Sequence, residues 1–230
     1  MYYTIFQIEI KLFNHLSFCV FNNNYGYYRH DFAIAFNLDK KEAYSFVKAP
    51  RYDGYPMEVG PLARMIVAKN PTLLDLVSKG VKPGAVARHA ARAIETKIIV
   101  DAAYEWLDQL QTEMTKPGFK IHDTEHWDPP ANGMGAGFFE PPRGALGHWI
   151  KIKDKKIENY QAVVPSTWNA SPRCEKGVRG QYEESLIGAP VPDPDNPINV
   201  VRIIRSFDPC LACAVHIMEG DKEVLKYKIC

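Results

Sequence analysis

The chain has 230 residues, 46% of them hydrophobic, with 28 Lys and Arg against 27 Asp and Glu for a net charge of +1. That length and apolar content support one large or two modest globular domains, and the balanced charge offers no basic patch for nucleic acid or an anionic membrane. No apolar run approaches the ~18–20 residues that span a bilayer, and five cysteines, two of them close together near the end, make no disulfide framework.

Met1 to about Lys41 is aromatic and Asn-rich, with Tyr2, Tyr3, Asn22 to Asn24, Tyr25, Tyr27 and Tyr28. Glu9, Lys11, Asn14 and His15 interrupt its apolar start, and no basic start followed by a small-residue cleavage site is present, so a signal peptide is not expected. It reads either as a divergent strand-rich start or, the favoured reading, as a segment unrelated to the remainder, ahead of a chain that begins partway through a longer ancestral subunit.

Met57–Ala68 and Pro71–Val77 read as short helices separated by Asn70-Pro71, and Pro83-Gly84 opens a long helix. On it Ile99, Ala103, Trp106, Leu107, Leu110 and Met114 recur at helical spacing, which predicts one buried stripe ending at Lys116-Pro117-Gly118. His89, His122 and His126 are isolated, and a structural role is the ordinary reading for such histidines. Asp128–Gly137 reads as a Pro- and Gly-rich loop. Alternation then predicts a β-hairpin, with His148, Ile150 and Ile152 on one face, a turn at Asp154-Lys155-Lys156 and a return over Ile157–Val164. Such a hairpin brings Arg143, just before its first strand, near Val164-Pro165-Ser166, just after its second. Pro190–Pro197 is a stiff connection, and Ile198–Ser206 reads as a helix leading into the last motif.

That motif is Asp208-Pro209-Cys210-Leu211-Ala212-Cys213-Ala214-Val215-His216. Asp208 suits an N-cap and Pro209 a first helical position, which predicts that both cysteines ride the first turns of a helix. A helix N-terminus favours thiolates, the metal-binding form. At 3.6 residues per turn the cysteines lie roughly 60° apart and His216 roughly 120° from Cys210, so the cysteines can share a metal while the histidine serves another site. Spacing alone leaves open half of a structural zinc site, a redox dithiol or two buried small hydrophobes.

Asp-Pro-Cys-x-x-Cys-x-x-His resembles the C-terminal signature of the large subunit of nickel-iron hydrogenases. Three further stretches resemble that family in collinear order: Lys48-Ala49-Pro50-Arg51-Tyr52 leading into Met57 to Arg64, Pro142 to Trp149, and Tyr160-Gln161 through Val163 to Asn169. The resemblance implies an α+β fold, mainly helical with a β-hairpin, forming the C-terminal part of the large-subunit fold. It divides the chain into a divergent segment 1–42, a hydrogenase region 43–216 and an extension 217–230.

It also implies the site. Cys210 would be a terminal nickel ligand and Cys213 a thiolate bridging nickel and iron, whose other ligands are carbon monoxide and cyanide. Pro165 and Ser166 would contact those diatomic ligands, and Pro142 would line the pocket. Arg143 would reach over it as a charge stabiliser, paired with Asp208. His216 and the backbone carbonyl of Ala162 would bind magnesium. Implied partners are an iron-sulfur small subunit and a maturation endopeptidase that cuts between His216 and Ile217. Localisation would follow the small subunit's export signal to a periplasmic or membrane-associated complex, from a cytoplasmic precursor.

One departure from the family pattern is plain. The other Cys-x-x-Cys of the family has no counterpart, since Cys19 and Cys174 are lone and Cys230 is terminal. The expectation is therefore a large-subunit portion that needs a separate N-terminal half to be active. The alternative is a truncated or split, inactive metal-binding fragment that needs a separate N-terminal Cys-x-x-Cys half.

Overall fold

The computed structural model describes residues 44, 45, 47, 49–52, 55–122, 128, 130–174 and 176–210, and the backbone of 215–219 and 222–227. The expectations for the first 41 residues, for His126 and for Cys213 fall outside them. Six helices are described: α1 (Pro61–Val67), α2 (Pro71–Ser78), α3 (Ala85–Met114), α4 (Pro165–Asn169), α5 (Gln181–Leu186) and α6 (Ile198–Ser206). A three-stranded antiparallel sheet, in the order β1-β2-β3, is made by β1 (Asn132–Phe139), β2 (Leu146–Lys153) and β3 (Lys156–Val163); β4 (Val215–Glu219) and β5 (Lys222–Tyr227) form a separate antiparallel pair.

The first core is helical. Leu62 and Met65 of α1 and Leu73 of α2 pack on Ala87 and Ala91 of α3, with Val81, Ile94 and Ile98 around them. Alanines on α3 let the shorter helices approach closely, and Asn70 fixes the corner between them by accepting the Leu73 N–H at 3.0 Å as N-cap. The first helix begins at Pro61 rather than Met57, because proline stands at its first position and Gly60 before it has φ +130°.

Around Trp149, Val163 and Trp168 lies the second core, closed by Met57, Val59 and Phe138. The predicted hairpin is present as β2 and β3. Its turn residues Asp154 and Lys155 both take positive φ, 52° and 58°, the conformation that matches the twist of the two strands.

The structure corrects two expectations. The stretch expected to be a loop through Gly137 forms β1 from Asn132 onward, each of its eight residues paired in register with β2 from Asn132↔Lys153 to Phe139↔Leu146. Its alternating Gly133, Gly135 and Gly137 carry no strand propensity, so the pairing comes from the neighbouring strand and from Phe138, whose ring meets Trp149 edge-on at 5.5 Å. The apolar stripe expected to be buried on the long helix is exposed: Ile99, Trp106, Leu107, Leu110 and Met114 all face solvent. The buried face of α3 is a different one, carrying Ala87, Arg88, Ala91 and Ala102.

Candidate metal centre

The site is assembled where three connections meet: the β1–β2 loop, the start of α4 and the end of α6. The first is anchored from below by Arg64. Its guanidinium makes a paired contact with Glu95 of α3 (Nε–Oε1 and Nη2–Oε2, both 2.7 Å), reaches Glu140 at 2.8 Å, and donates to the carbonyls of Pro141 at 2.9 Å and Pro142 at 3.2 Å. A planar fork with five donors suits this many acceptors at once. It fixes the backbone that carries Pro142 and Arg143.

Close contact of two glycines completes the anchoring. Gly144 has φ +131°, and a Cβ there would stand 2.7 Å from the Gly60 nitrogen and 2.7 Å from Val59 Cγ2. Only glycine permits the loop to lie against the start of α1. On the far side of the same segment, Asn169 of α4 donates to the Val59 carbonyl and accepts the Val59 N–H, both at 2.9 Å, and so ties α4 to residues 57–59.

Arg88 holds the third connection. Buried on α3, it pairs in a fork with Glu58 at 2.8 Å for both bonds, donates to Ser206 Oγ at 3.3 Å and Ser185 Oγ at 3.2 Å, and stacks 3.6 Å over the ring of Phe207. One helical turn on, Arg92 donates to the Ser206 carbonyl at 3.0 Å, a cation placed on the free carbonyl end of α6.

Asp208 does not cap a following helix as expected. It sits just past the C-cap Phe207 of α6 with φ +55°, its N–H donated to the Arg205 carbonyl at 2.9 Å, so it terminates the preceding helix. Aspartate tolerates this left-handed conformation better than most residues. Residues 208–210 are not helical, and His216 lies on β4 opposite Lys226 rather than on a helix. The described backbone does not carry Cys210 and His216 on one helix.

What the turn does is present side chains to the other two connections. Arg143 Nε lies 3.5 Å from Asp208 Oδ1, both side chains half-exposed, and the Cys210 N–H donates to Ser166 Oγ at 3.3 Å. Pro165 is buried at the first position of α4. Pro142, Arg143, Pro165, Ser166, Asp208 and Cys210 therefore belong to one neighbourhood. Ala162 stands on β3, opposite His148, and Cys213 lies outside the described residues.

Beside this neighbourhood is Tyr182, whose ring is 4.9 Å from Phe207. Its buried hydroxyl has no hydrogen-bond partner, and burial together with the charge of Asp208 pushes its pKa up to about 12, against the opposing effect of Arg88.

Cys210 is exposed and in no disulfide. A free thiol two residues after the Asp208–Arg143 pair, on a residue whose backbone N–H meets the Ser166 hydroxyl, has the chemistry of a ligand to a soft or borderline divalent metal. Among the described residues no group of three His, Cys, Asp or Glu side chains could hold a metal ion. Also among the described residues, no helix is long and apolar enough to cross a membrane.

Residues that motif reading gave no role carry most of this geometry: Arg88, Asn169, Tyr182 and the Glu95–Arg64–Glu140 cluster. Arg88 and Arg92 had a sequence signal in their i, i+4 spacing on the alanine-rich side of a helix. Tyr182 had none.

A cysteine-bearing turn braced by Arg88 and Arg92 stands on a mixed helix and sheet scaffold. The chain belongs to the nickel-dependent hydrogenase family, whose match covers residues 15–216. That match begins within the first 42 residues and ends at His216. The chain is 46% identical over 202 residues to the periplasmic [NiFeSe] hydrogenase large subunit of Desulfomicrobium baculatum, covering 80% of this chain and 38% of that one. It is 43% identical over 208 residues to the uptake hydrogenase large subunit of Bradyrhizobium diazoefficiens, covering 84% and 35%. Among solved structures, the Ni-Fe-Se hydrogenase of D. vulgaris Hildenborough in the reduced state matches with a TM-score of 0.64 at 41% identity, over 83% of this chain and 44% of that chain. The chain thus spans well under half the length of these relatives.

Proposed function

We propose that this chain is the portion of a nickel-iron hydrogenase large subunit that provides one thiolate pair, Cys210 and Cys213, to a nickel-iron centre, and that the assembled enzyme oxidises H2 reversibly. The supporting observation is the meeting of Cys210 with Ser166 and of Asp208 with Arg143 at a single turn. When bound, the centre supplies the redox-active site at which H2 yields two protons and two electrons, the electrons leaving through an iron-sulfur small subunit.

The chain's own residues act around it. Cys210 and Cys213 would hold the centre as thiolates, and carbon monoxide and cyanide would complete the iron's coordination. Ser166 offers a hydroxyl and Pro165 an apolar wall to those small ligands. Pro142 lines the pocket. Arg143 remains protonated and stabilises negative charge there, and Asp208 orients it. His216 and the Ala162 carbonyl would hold magnesium.

A maturation endopeptidase cuts between His216 and Ile217. The expectation of a helix continuing through this point gives way to the β4–β5 hairpin, whose register pairs His216 with Lys226 and Ile217 with Leu225. A two-stranded hairpin is marginal by itself, so release of 217–230 frees His216 at little cost. The assembled complex is exported with its small subunit to the periplasmic side of a membrane, from a cytoplasmic precursor.

A second reading, an inactive metal-binding fragment, is favoured by the incomplete ligand set among the described residues. The two are separated by X-ray absorption and H2-dependent dye reduction. The chain alone is expected to hold nickel through no more than two sulfurs and to reduce no dye, and to gain both full sulfur ligation and activity once the remaining large-subunit portion and the small subunit are supplied. Persistent inactivity in the complete assembly would favour the fragment.

A further inference from the structure

The short helix α5 is pinned on several sides. Gln181 donates to the Pro56 carbonyl at 3.4 Å, Glu183 accepts the Tyr44 hydroxyl at 2.5 Å and the Gly180 N–H at 3.0 Å, Glu184 meets Arg179 at 3.3 Å, and Ser185 Oγ accepts from Arg88 at 3.2 Å. A helix this short has no stability of its own, so these bonds set its place. Of the polar side chains on α5, Tyr182 is the one whose buried polar atom has no hydrogen-bond partner among the described residues. A buried, unpaired hydroxyl costs stability. Phenylalanine would keep the 4.9 Å ring contact with Phe207 and avoid that cost, so packing does not account for the hydroxyl.

Asp208 does. It follows Phe207 in the chain, and its charge is, after burial, a cause of the raised Tyr182 pKa, which places hydroxyl and carboxylate within electrostatic reach of each other. The carboxylate is incompletely used. Arg143 meets Oδ1 at a long 3.5 Å, and the Asp208 side chain is 35% exposed, so water serves its remaining lone pairs. On the large-subunit reading the remainder of the subunit covers this turn and takes that water away. A carboxylate that loses water must find protein donors, and the unpaired donor at hand is the Tyr182 O–H, which makes a short, charge-assisted bond to a carboxylate.

We propose that Tyr182 is a further positioning residue of this site: in the complete subunit its hydroxyl donates to the Asp208 carboxylate and fixes it on Arg143, while the present chain holds that donor unpaired. The assignment rests on the large-subunit reading. Tyr182 touches no reacting atom and acts through Asp208.

The test sets Tyr182→Phe, Asp208→Gly and the double variant beside the parent, each as the full 230-residue chain alone and in the complex assembled with the remaining large-subunit portion and the small subunit. Asp208→Gly removes the acceptor while the backbone at φ +55° stays unstrained. Alone, Tyr182→Phe is expected to melt with the parent or slightly above it. In the complex it is expected to melt below the parent and to lower kcat for H2-dependent dye reduction about 10–100-fold with KM for H2 unchanged, the scale of one hydrogen bond to a charged group. In the Asp208→Gly background the same change is expected to alter kcat by less than about 2-fold and to leave melting unmoved, since both residues act through one bond. Four results would overturn the assignment: Tyr182→Phe melting below the parent in the chain alone, because the hydroxyl is then already bonded; no effect in the complex; a full effect that persists in the Asp208→Gly background; or a raised KM with kcat unchanged. A parent complex that melts as one unit but reduces no dye would count against the hydrogenase reading, and the melting comparison would still decide the role of Tyr182.

Discussion

The guanidinium of Arg88 lies 3.6 Å above the ring of Phe207, three residues before Cys210, while its Nε–Nη2 edge is locked to Glu58. A residue on the long helix therefore decides where the turn that carries Asp208 and Cys210 stands. The Arg88–Glu58 pair is largely removed from water, where breaking one partner leaves an uncompensated charge.

Replacing Arg88 by Met is accordingly expected to cost about 3–5 kcal/mol. Arg88→Lys keeps the charge and loses the fork and the stacking, so a smaller loss of about 1–3 kcal/mol is expected. Urea denaturation of the two variants measures both. Equal losses would mean that the charge alone matters.

Gly144 and Gly118 form a matched pair for testing the loop contact. Both have positive φ, +131° and +79°, but a Cβ at Gly118 meets nothing within 4 Å, whereas at Gly144 it collides with Gly60 and Val59. Gly118→Ala should cost about 1–2 kcal/mol in backbone strain. Gly144→Ala should cost about 2–5 kcal/mol, strain and overpacking together. Thermal and urea unfolding decide, and a Gly144→Ala loss no larger than that of Gly118→Ala would show that the loop does not press on α1.

Tyr182 sets a pH dependence. Its folded pKa is raised to about 12 from an ordinary 10.0, so between those values the folded chain keeps a proton that the unfolded chain loses. Its contribution is fully present below about pH 10 and is lost as pH rises through about 12. Tyr182→Phe should remove that part of the alkaline loss. It should also leave neutral-pH stability unchanged or slightly higher, because the hydroxyl is buried without a partner. Denaturation series at about pH 8 to 11.5, a range that brackets the ordinary tyrosine pKa, compare the two proteins.

Asp208→Asn tests the pair with Arg143. Asparagine accepts the left-handed conformation at φ +55° as readily as aspartate, so the turn should keep its shape while Arg143 loses its counter-charge. The half-exposed pair contributes about 0–1 kcal/mol to stability, so melting should barely move. On the proposed hydrogenase reading, H2-dependent dye reduction by the assembled complex should fall about 10²–10³-fold, as for loss of one organised charge at a reacting centre. A large fall in stability with intact turnover would make Asp208 a structural residue.

Much was legible in the chain itself. Proline positions and periodicity marked α2, α3 and α6, and alternation marked β2 and β3. Four collinear motifs marked the family, because metal-ligating and backbone-restricting residues leave little freedom of spacing. Local rules misjudged Asp208, since Asp-Pro after a helical stretch suits a new helix as well as the end of an old one. Arg92 on the Ser206 carbonyl and Arg88 on Phe207 favour the second, and both come from a helix more than a hundred residues earlier.

Tertiary structure alone decided the rest. The glycine-rich β1 is a strand because β2 offers it a ladder, which no propensity of its own foretells. Helical spacing on α3 pointed to the stripe from Ile99 to Met114 as the buried side; the alanine side is covered instead, because only small residues let α1 and α2 pack against it. Motif spacing and order determined the family to which the chain belongs. The placement of Arg143 beside Asp208 and of Ser166 beside Cys210 came from contacts between distant segments, because a side chain's partners depend on where the backbone returns and not on its neighbours in sequence.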